Sequence, residues 1–311
     1  LQTIAATNLH YAPNFNDFDK SADWTQWNLR LSGSSIAVNG GAVEYNYYTS
    51  FTGKKTAITV DYAGNSRLTD SGVDVGAYSA NLAMEDFSTV VTTLDDIVDP
   101  TDGLVSLREA IRYASYGKTV EERTVTFSND LFALSDSAVF TLDADLQTIV
   151  VDSAVTITSA YTNDLGQTQY RDITIDGSAS NAPLFIFTNG ADVEMYGLTF
   201  ANAHSSASNV NGGAILVRGG TVSIVDSVIK DNVAERNGGA IYQEGGVLYI
   251  IDSLITGNSA GTKKGYGGAM CMVGGQTYIY NTTITANTAA VYGGVFAIDG
   301  LVVMANSIVA K

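Results

Sequence analysis

Side chains able to do chemistry fall into a few groups in this sequence. Asp95, Asp96, Asp99 and Asp102 crowd one short stretch, and an oxygen-rich set of this kind is what Ca²⁺ takes, with six to eight ligands. Their spacing matches no EF-hand, and the plainer reading is a solvated acidic loop ahead of a helix, whose dipole favours acids at its start. Asp61, Asn65, Asp70 and Asp74 form a second, looser set. Paired carboxylates about 5–10 Å apart would suit glycoside hydrolysis. Asp226 and Asp252 recur at one offset of a repeat, but Asn281 and Asn306 take the equivalent places. That exchange points to Asx turn chemistry. His10 and His204 have no partner at the same offset.

Binding surfaces come next. Thr283 and Thr285 resemble one rung of a threonine ladder, as on ice-binding surfaces, but Leu254 and Thr256, then Val228 and Lys230, occupy the same offsets, so no ladder forms. Tyr249 and Tyr278 are predicted to point outward, as a stacking surface for sugars or as a cross-strand aromatic pair. Asn281-Thr282-Thr283 fits a glycosylation sequon. Cys271 stands alone, which excludes an internal disulfide and predicts a small packed hydrophobe.

The element that must position these groups is a motif written four times over residues 211–311. Its openings are Asn211-Gly212-Gly213-Ala214-Ile215, Asn237-Gly238-Gly239-Ala240-Ile241, Tyr266-Gly267-Gly268-Ala269-Met270 and Tyr292-Gly293-Gly294-Val295-Phe296. Gly212, Gly238, Gly267 and Gly293 lie 26, 29 and 26 residues apart, a period that signals a solenoid, propeller or array. Further glycines follow at Gly219, Gly245, Gly274 and Gly300, then Asp226, Asp252, Asn281 and Asn306, then Asn232, Asn258 and Asn287. Between them lie runs of four to six residues rich in Val, Ile and Tyr, too short for helices. Each period therefore reads as three short strands and three turns, one coil of a right-handed parallel β-helix. A propeller blade needs about 40 residues or more.

Stacking predicts two inward columns, Ile224, Ile250, Ile279 and Ile229, Ile255, Ile284, continued by Met304 and Val309, each fully buried member contributing roughly 1.5–3 kcal/mol. Asn232, Asn258 and Asn287 should form an amide ladder, as like residues do in cross-β stacks. The extra residues of the long coil fall in the turn 261–265.

Upstream, residues 104–115 read as the one helix, with Leu104, Leu107, Ile111 and Ala114 on one face, and as a cap over the open end of the coils. Segments near 87–93, 124–127, 138–142, 149–151, 155–158, 172–175, 184–187, 193–195 and 198–202 read as strands of earlier coils. Asn202 is expected to match the ladder asparagines. Eight or nine coils, at about 4.8 Å each, would make a rod of about 40 Å. Residues 1–86 are set apart as an end, docking or capping segment, and 87–311 as the β-helix, with regular coils over 197–311. Asn39-Gly40-Gly41 resembles the coil openings but lies outside their period and is read as a turn; Trp24 and Trp27 are read as packing anchors.

Composition sets bounds. Of 311 residues 45% are hydrophobic and only three are proline, enough for a large core. The net charge of −16 argues against nucleic acid and anionic membrane as partners. No apolar run reaches the ~20 residues of a spanning helix. No start methionine or signal peptide is visible, and the chain reads as a mature or excised piece of something longer.

Several segments resemble one bacterial family. Gly103-Leu104-Val105-Ser106-Leu107-Arg108-Glu109-Ala110-Ile111 is similar to the Cys-Ser-Leu-Arg-Glu-Ala-Ile signature that starts secreted right-handed β-helix repeat proteins, with Val105 in the place of the cysteine. Ile173-Thr174-Ile175-Asp176-Gly177 and Gly197-Leu198-Thr199-Phe200 resemble that family's first coils. The Gly-Gly-Ala-Ile coils resemble repeats of polymorphic outer-membrane proteins. Asp61 to Arg67 and Val73 to Tyr78 look like the segment that ends such a unit. The resemblance implies a secreted or surface-attached adhesin with no catalytic residues. Here the ending motif comes first and the starting motif second. The expectation is therefore that units follow one another head to tail, covalently or by docking of copies, and a contact that does not close gives a filament. Surface glycans are the other partner expected, with no cofactor beyond the Ca²⁺ option. The rival readings are a β-helix polysaccharide lyase or glycoside hydrolase, although no Asn-Thr-Asp, Gly-His-Gly or Arg-Ile-Lys string occurs, and a carbohydrate-binding module.

Overall fold

The computed structural model describes residues 87–99, 102–163, 165–206, 211–261 and 264–310, together with six short strands between residues 15 and 73. His10, Trp24, Trp27, Asp61, Asn65, Asp70, Asp74 and the Gly40-Gly41 turn lie outside the described residues. The chain divides into two compact units, one of Leu1–Phe87 with Val98–Leu104, the other of Ser88–Ile97 with Val105–Lys311. In the first unit the described strands form antiparallel pairs: Phe15–Asp17 with Asn28–Leu31, Tyr47–Thr49 with Lys55–Ala57, and Leu68–Thr69 with Gly72–Val73.

The second unit is a parallel β-helix. Among the described residues its walls hold eight, seven and six strands, so six turns are complete, fewer than the eight or nine coils expected. The shortfall has a local cause: in the earliest turns a helix and short 3-10 turns at Glu121–Arg123 and Asn129–Phe132 replace wall strands. A regular coil runs Ile241–Gln243 in wall three, Val247–Ile251 in wall one and Leu254–Thr256 in wall two. It then adds a two-residue strand, Ser259–Ala260, where three strands per coil were expected; equivalents are Val233–Ala234 and Thr288–Ala289. This fourth strand forms where the chain must close the cross-section after the Asn turn.

Register follows the inward columns. Ile224 pairs with Ile250, Ile250 with Ile279 and Ile279 with Met304 in wall one. Phe200, Ile229, Ile255, Ile284 and Val309 continue one another in wall two. All six isoleucines are fully buried. A third column, Ile215, Ile241, Met270 and Val295, lines wall three. The Gly-Gly openings are required by close approach: a Cβ on Gly213 would sit 1.9 Å from the carbonyl oxygen of Gly239, and one on Gly239 would sit 2.2 Å from that of Gly268. The last coil is one residue shorter at its opening than the one before, because Met270 pairs with Val295 while Tyr266 bridges Tyr292.

The helix, α1, is Leu107–Ala114, shorter than residues 104–115. Ser106 sets its start: its side chain accepts from the Glu109 N–H while the Glu109 carboxylate accepts from the Ser106 N–H, a capping box. Leu104 is accordingly outside the helix and exposed. Leu107, Ala110, Ile111 and Ala114 join the single core of the coils, with Val105 buried beside them, and α1 packs on the first strands of wall one, Val90–Val91, Thr124–Phe127 and Ala154–Thr158. Arg108 ties it down. Its Nε donates to Asp96 Oδ1 at 2.9 Å and its Nη2 to Asp96 Oδ2 at 2.7 Å, and the same guanidinium donates to the carbonyls of Gln147 and Thr148.

The Asp96 side chain is only 4% exposed, and a buried charge stripped of its partner costs about 3–5 kcal/mol. Arg108→Ala is therefore expected to destabilise the β-helix by about 3 kcal/mol in urea unfolding; an unchanged midpoint would show that the pair does not hold the cap.

Candidate functional site

Two features stand out as places where side chains act together: the corners between walls, and the last rung. At the corner after wall two, Asn232 Nδ2 donates to Asn258 Oδ1 at 3.0 Å, and Asn258 Nδ2 to Asn287 Oδ1 at 2.9 Å. The same oxygens accept from the backbone N–H groups of Asn232 and Asn258, both at 3.0 Å. Each Nδ2 also reaches a main-chain carbonyl, of Phe200, Ile229 or Ile255. Buried amides with every group satisfied fix one register. The ladder starts one residue later than expected from Asn202. Ala203 occupies the column and donates its N–H to Asn232 Oδ1 at 2.9 Å. Asn202 sits in the left-handed region with φ 58, like Asp231, and donates from Nδ2 to Asp176.

A second ladder, missed in the sequence, runs at the corner between walls one and two. Ser227, Ser253, Thr282 and Ser307 each accept, through the hydroxyl oxygen, an N–H from the rung before, at 3.1–3.4 Å. Each hydroxyl donates to the carbonyl two residues back in its own rung. A Ser or Thr directly after each Asx was its visible mark. Asp226, Asp252, Asn281 and Asn306 occupy the left-handed region there, with φ 50, 50, 52 and 52, which Asn and Asp tolerate best after glycine. The turn reading of Asp226 and Asp252 thus has a backbone cause. Asp226 also receives the Tyr170 hydroxyl, whose pKa is raised by burial and by this carboxylate.

A third column, Asn211, Asn237, Tyr266, Tyr292, stands before the glycine pairs. Asn237 Nδ2 donates to Asn211 Oδ1 at 3.1 Å, and Asn237 Oδ1 accepts from the Tyr266 N–H. The column then turns aromatic: Tyr266 stacks on Phe296 at 4.8 Å, and Phe296 on Tyr292 at 5.1 Å. Inside the core, the Thr277 hydroxyl donates to Gln243 Oε1, and Gln243 Nε2 donates to three carbonyls. This pair went unread because the neighbours in those columns are apolar.

The other candidates lie apart from these corners. Asp96 is committed to Arg108, Asp95 accepts from the Thr93 side chain and Asp102 Oδ1 accepts from the Leu104 N–H; no three His, Cys, Asp or Glu side chains gather to hold a metal among the described residues. His204 is half exposed, 3.6 Å from Glu235. Tyr249 and Tyr278 stack face to face at 5.1 Å and 15°, the geometry of a cross-strand pair. Thr283 and Thr285 stand over Leu254 and Thr256. Cys271 is fully buried and burial lifts its thiol to about 11, far above the range of a reactive thiol.

The last rung differs from all others. Among the described residues, Val295–Ala297, Leu301–Ala305 and Ile308–Val309 each pair on one side only. Met304 and Val309 end the isoleucine columns 37% and 48% exposed. No family model, curated protein or solved structure matches the chain. No helix among the described residues is long and apolar enough to cross a membrane.

Ala286 takes φ 54 in the column that Asp231 and Gly257 share. A left-handed non-glycine residue costs roughly 1–2 kcal/mol, partly recovered as lower entropy loss than glycine would suffer. Ala286→Gly is expected to raise stability by about 0.5–1 kcal/mol; a lower urea midpoint would contradict the conformation.

Proposed function

We propose that this protein is a structural β-helix unit of an extracellular filament or surface adhesin, extended end to end through its last rung. The observation that carries the reading is the composition of that rung. Residues 288–311 include two charged side chains, Asp299 and Lys311, of opposite sign, in a chain of net charge −16. Sheet edges that must stay single are blunted by Lys, Pro, bulges or inward charges. Its three strands carry none of these and, among the described residues, the apolar column ends are uncovered, whereas α1 covers the opposite end. Further support comes from the repeated residues, whose bonds go to neighbouring rungs: the amide and hydroxyl ladders are devices for stacking more of the same. The extracellular setting rests on the resemblance of the Ser106 to Ile111 start motif and the Gly-Gly coils to secreted β-helix repeat proteins.

Sedimentation of the purified chain across a hundredfold concentration range tests this. Growth into long oligomers is expected, abolished by Met304→Lys with Val309→Lys at unchanged circular dichroism. A chain that stays monomeric throughout would contradict end-to-end extension.

A further inference from the structure

The motif left unabsorbed by the fold is Asn39-Gly40-Gly41-Ala42-Val43. It repeats the openings Asn211 to Ile215 and Asn237 to Ile241 in all but the last residue. The next opening in its own chain, Gly212, lies 172 residues on (212 − 40), so it has no coil neighbour in sequence. Openings pair directly with one another: the Gly212 and Gly213 N–H groups donate to the carbonyls of Asn237 and Gly238, both at 2.9 Å. In this column the first opening already pairs upstream, Ile215 on Phe185, and among the described residues the free edge is at Val295–Ala297.

We infer that the stretch 39–45 of a second copy completes the last rung, lying parallel on Val295–Ala297 with Val43 over Val295. The inference rests on the end-to-end reading and names its occupant. Three matches set the register. Ala42 continues the small column of Ala214, Ala240, Ala269 and Gly294. Val43 extends the inward column of Ile215, Ile241, Met270 and Val295. Tyr45 falls over Ala297, the smallest member of the column Phe187, Val217, Gln243, Met272 and Ala297, where a large side chain has room. Residues 33–43 carry no charge, matching the nearly uncharged rung they would cover. Glu44 then falls over Phe296, on the side of the wall away from the main core, in the column of Tyr242 and Cys271.

Neighbouring parallel strands place paired Cα atoms about 4.8 Å apart, within disulfide reach. Two full-length chains are made in a Cys271→Ala background, one with Glu44→Cys and one with Phe296→Cys. Mixed under oxidised glutathione, they are expected to give a disulfide-linked dimer that neither yields alone. Val43→Asp, which would set a charge in the inward column over Val295, is expected to weaken association at least tenfold with unchanged circular dichroism. No cross-link, with association intact in both cysteine variants, would overturn the assigned occupant while leaving end-to-end extension standing. Loss of association in the unsubstituted chain would overturn both.

Discussion

Rungs stacked about 4.8 Å apart let strands satisfy one another, but at each corner the chain turns away and its N–H groups point where no strand carbonyl follows. A buried N–H without a partner costs about 1–3 kcal/mol, and the cost recurs at every rung. The protein meets it with side chains. Asn232, Asn258 and Asn287 at one corner, and Ser227, Ser253, Thr282 and Ser307 at another, each accept a backbone N–H from the preceding rung and return a donor to a nearby carbonyl. The walls, the register and the inward isoleucines all presuppose these bonds, because a coil that slipped by one residue would leave its amides facing carbon.

The same constraint explains what could be read from the sequence. Columns that keep one residue type were legible: the isoleucines of walls one and two and the asparagines of the corner recur at fixed offsets because each contacts its own kind. The left-handed Asx turn was legible as an exchange of Asp for Asn. The hydroxyl ladder was not, since Ser after Asx looks like ordinary turn filler until its bonds are seen. Single events had no repeat to expose them. The hairpin of Ala160–Thr162 with Thr168–Tyr170 interrupts one coil only, and its neighbour Arg171 lies 4.1 Å from the Tyr161 ring and 4.6 Å from that of Phe132. The helix start was misplaced because Leu104 fits the apolar spacing, whereas Ser106 and Glu109 decide the end by hydrogen bonding. The acidic cluster at residues 95–102 read as one loop, but its best-buried member, Asp96, serves the cap through Arg108.

The two ends of the β-helix are treated differently. At one, α1 lays Leu107, Ile111 and Ala114 over the core. At the other, ladders built to bind another rung simply end. Ser307 accepts from Thr282 as its predecessors do, yet among the described residues no further rung brings a hydroxyl to its own N–H. A growing β-helix is its own template, and the end-to-end reading extends that logic past the last described rung.

Amide hydrogen exchange tests the ladder account most directly. The N–H groups of Asn232, Asn258, Ser227 and Ser253, which lie in turns, are expected to exchange as slowly as the N–H groups of Ile224 and Ile250 in the wall. Exchange at loop-like rates, with the wall amides still protected, would show that the corner side chains are passengers and that strand pairing alone holds the coils in register.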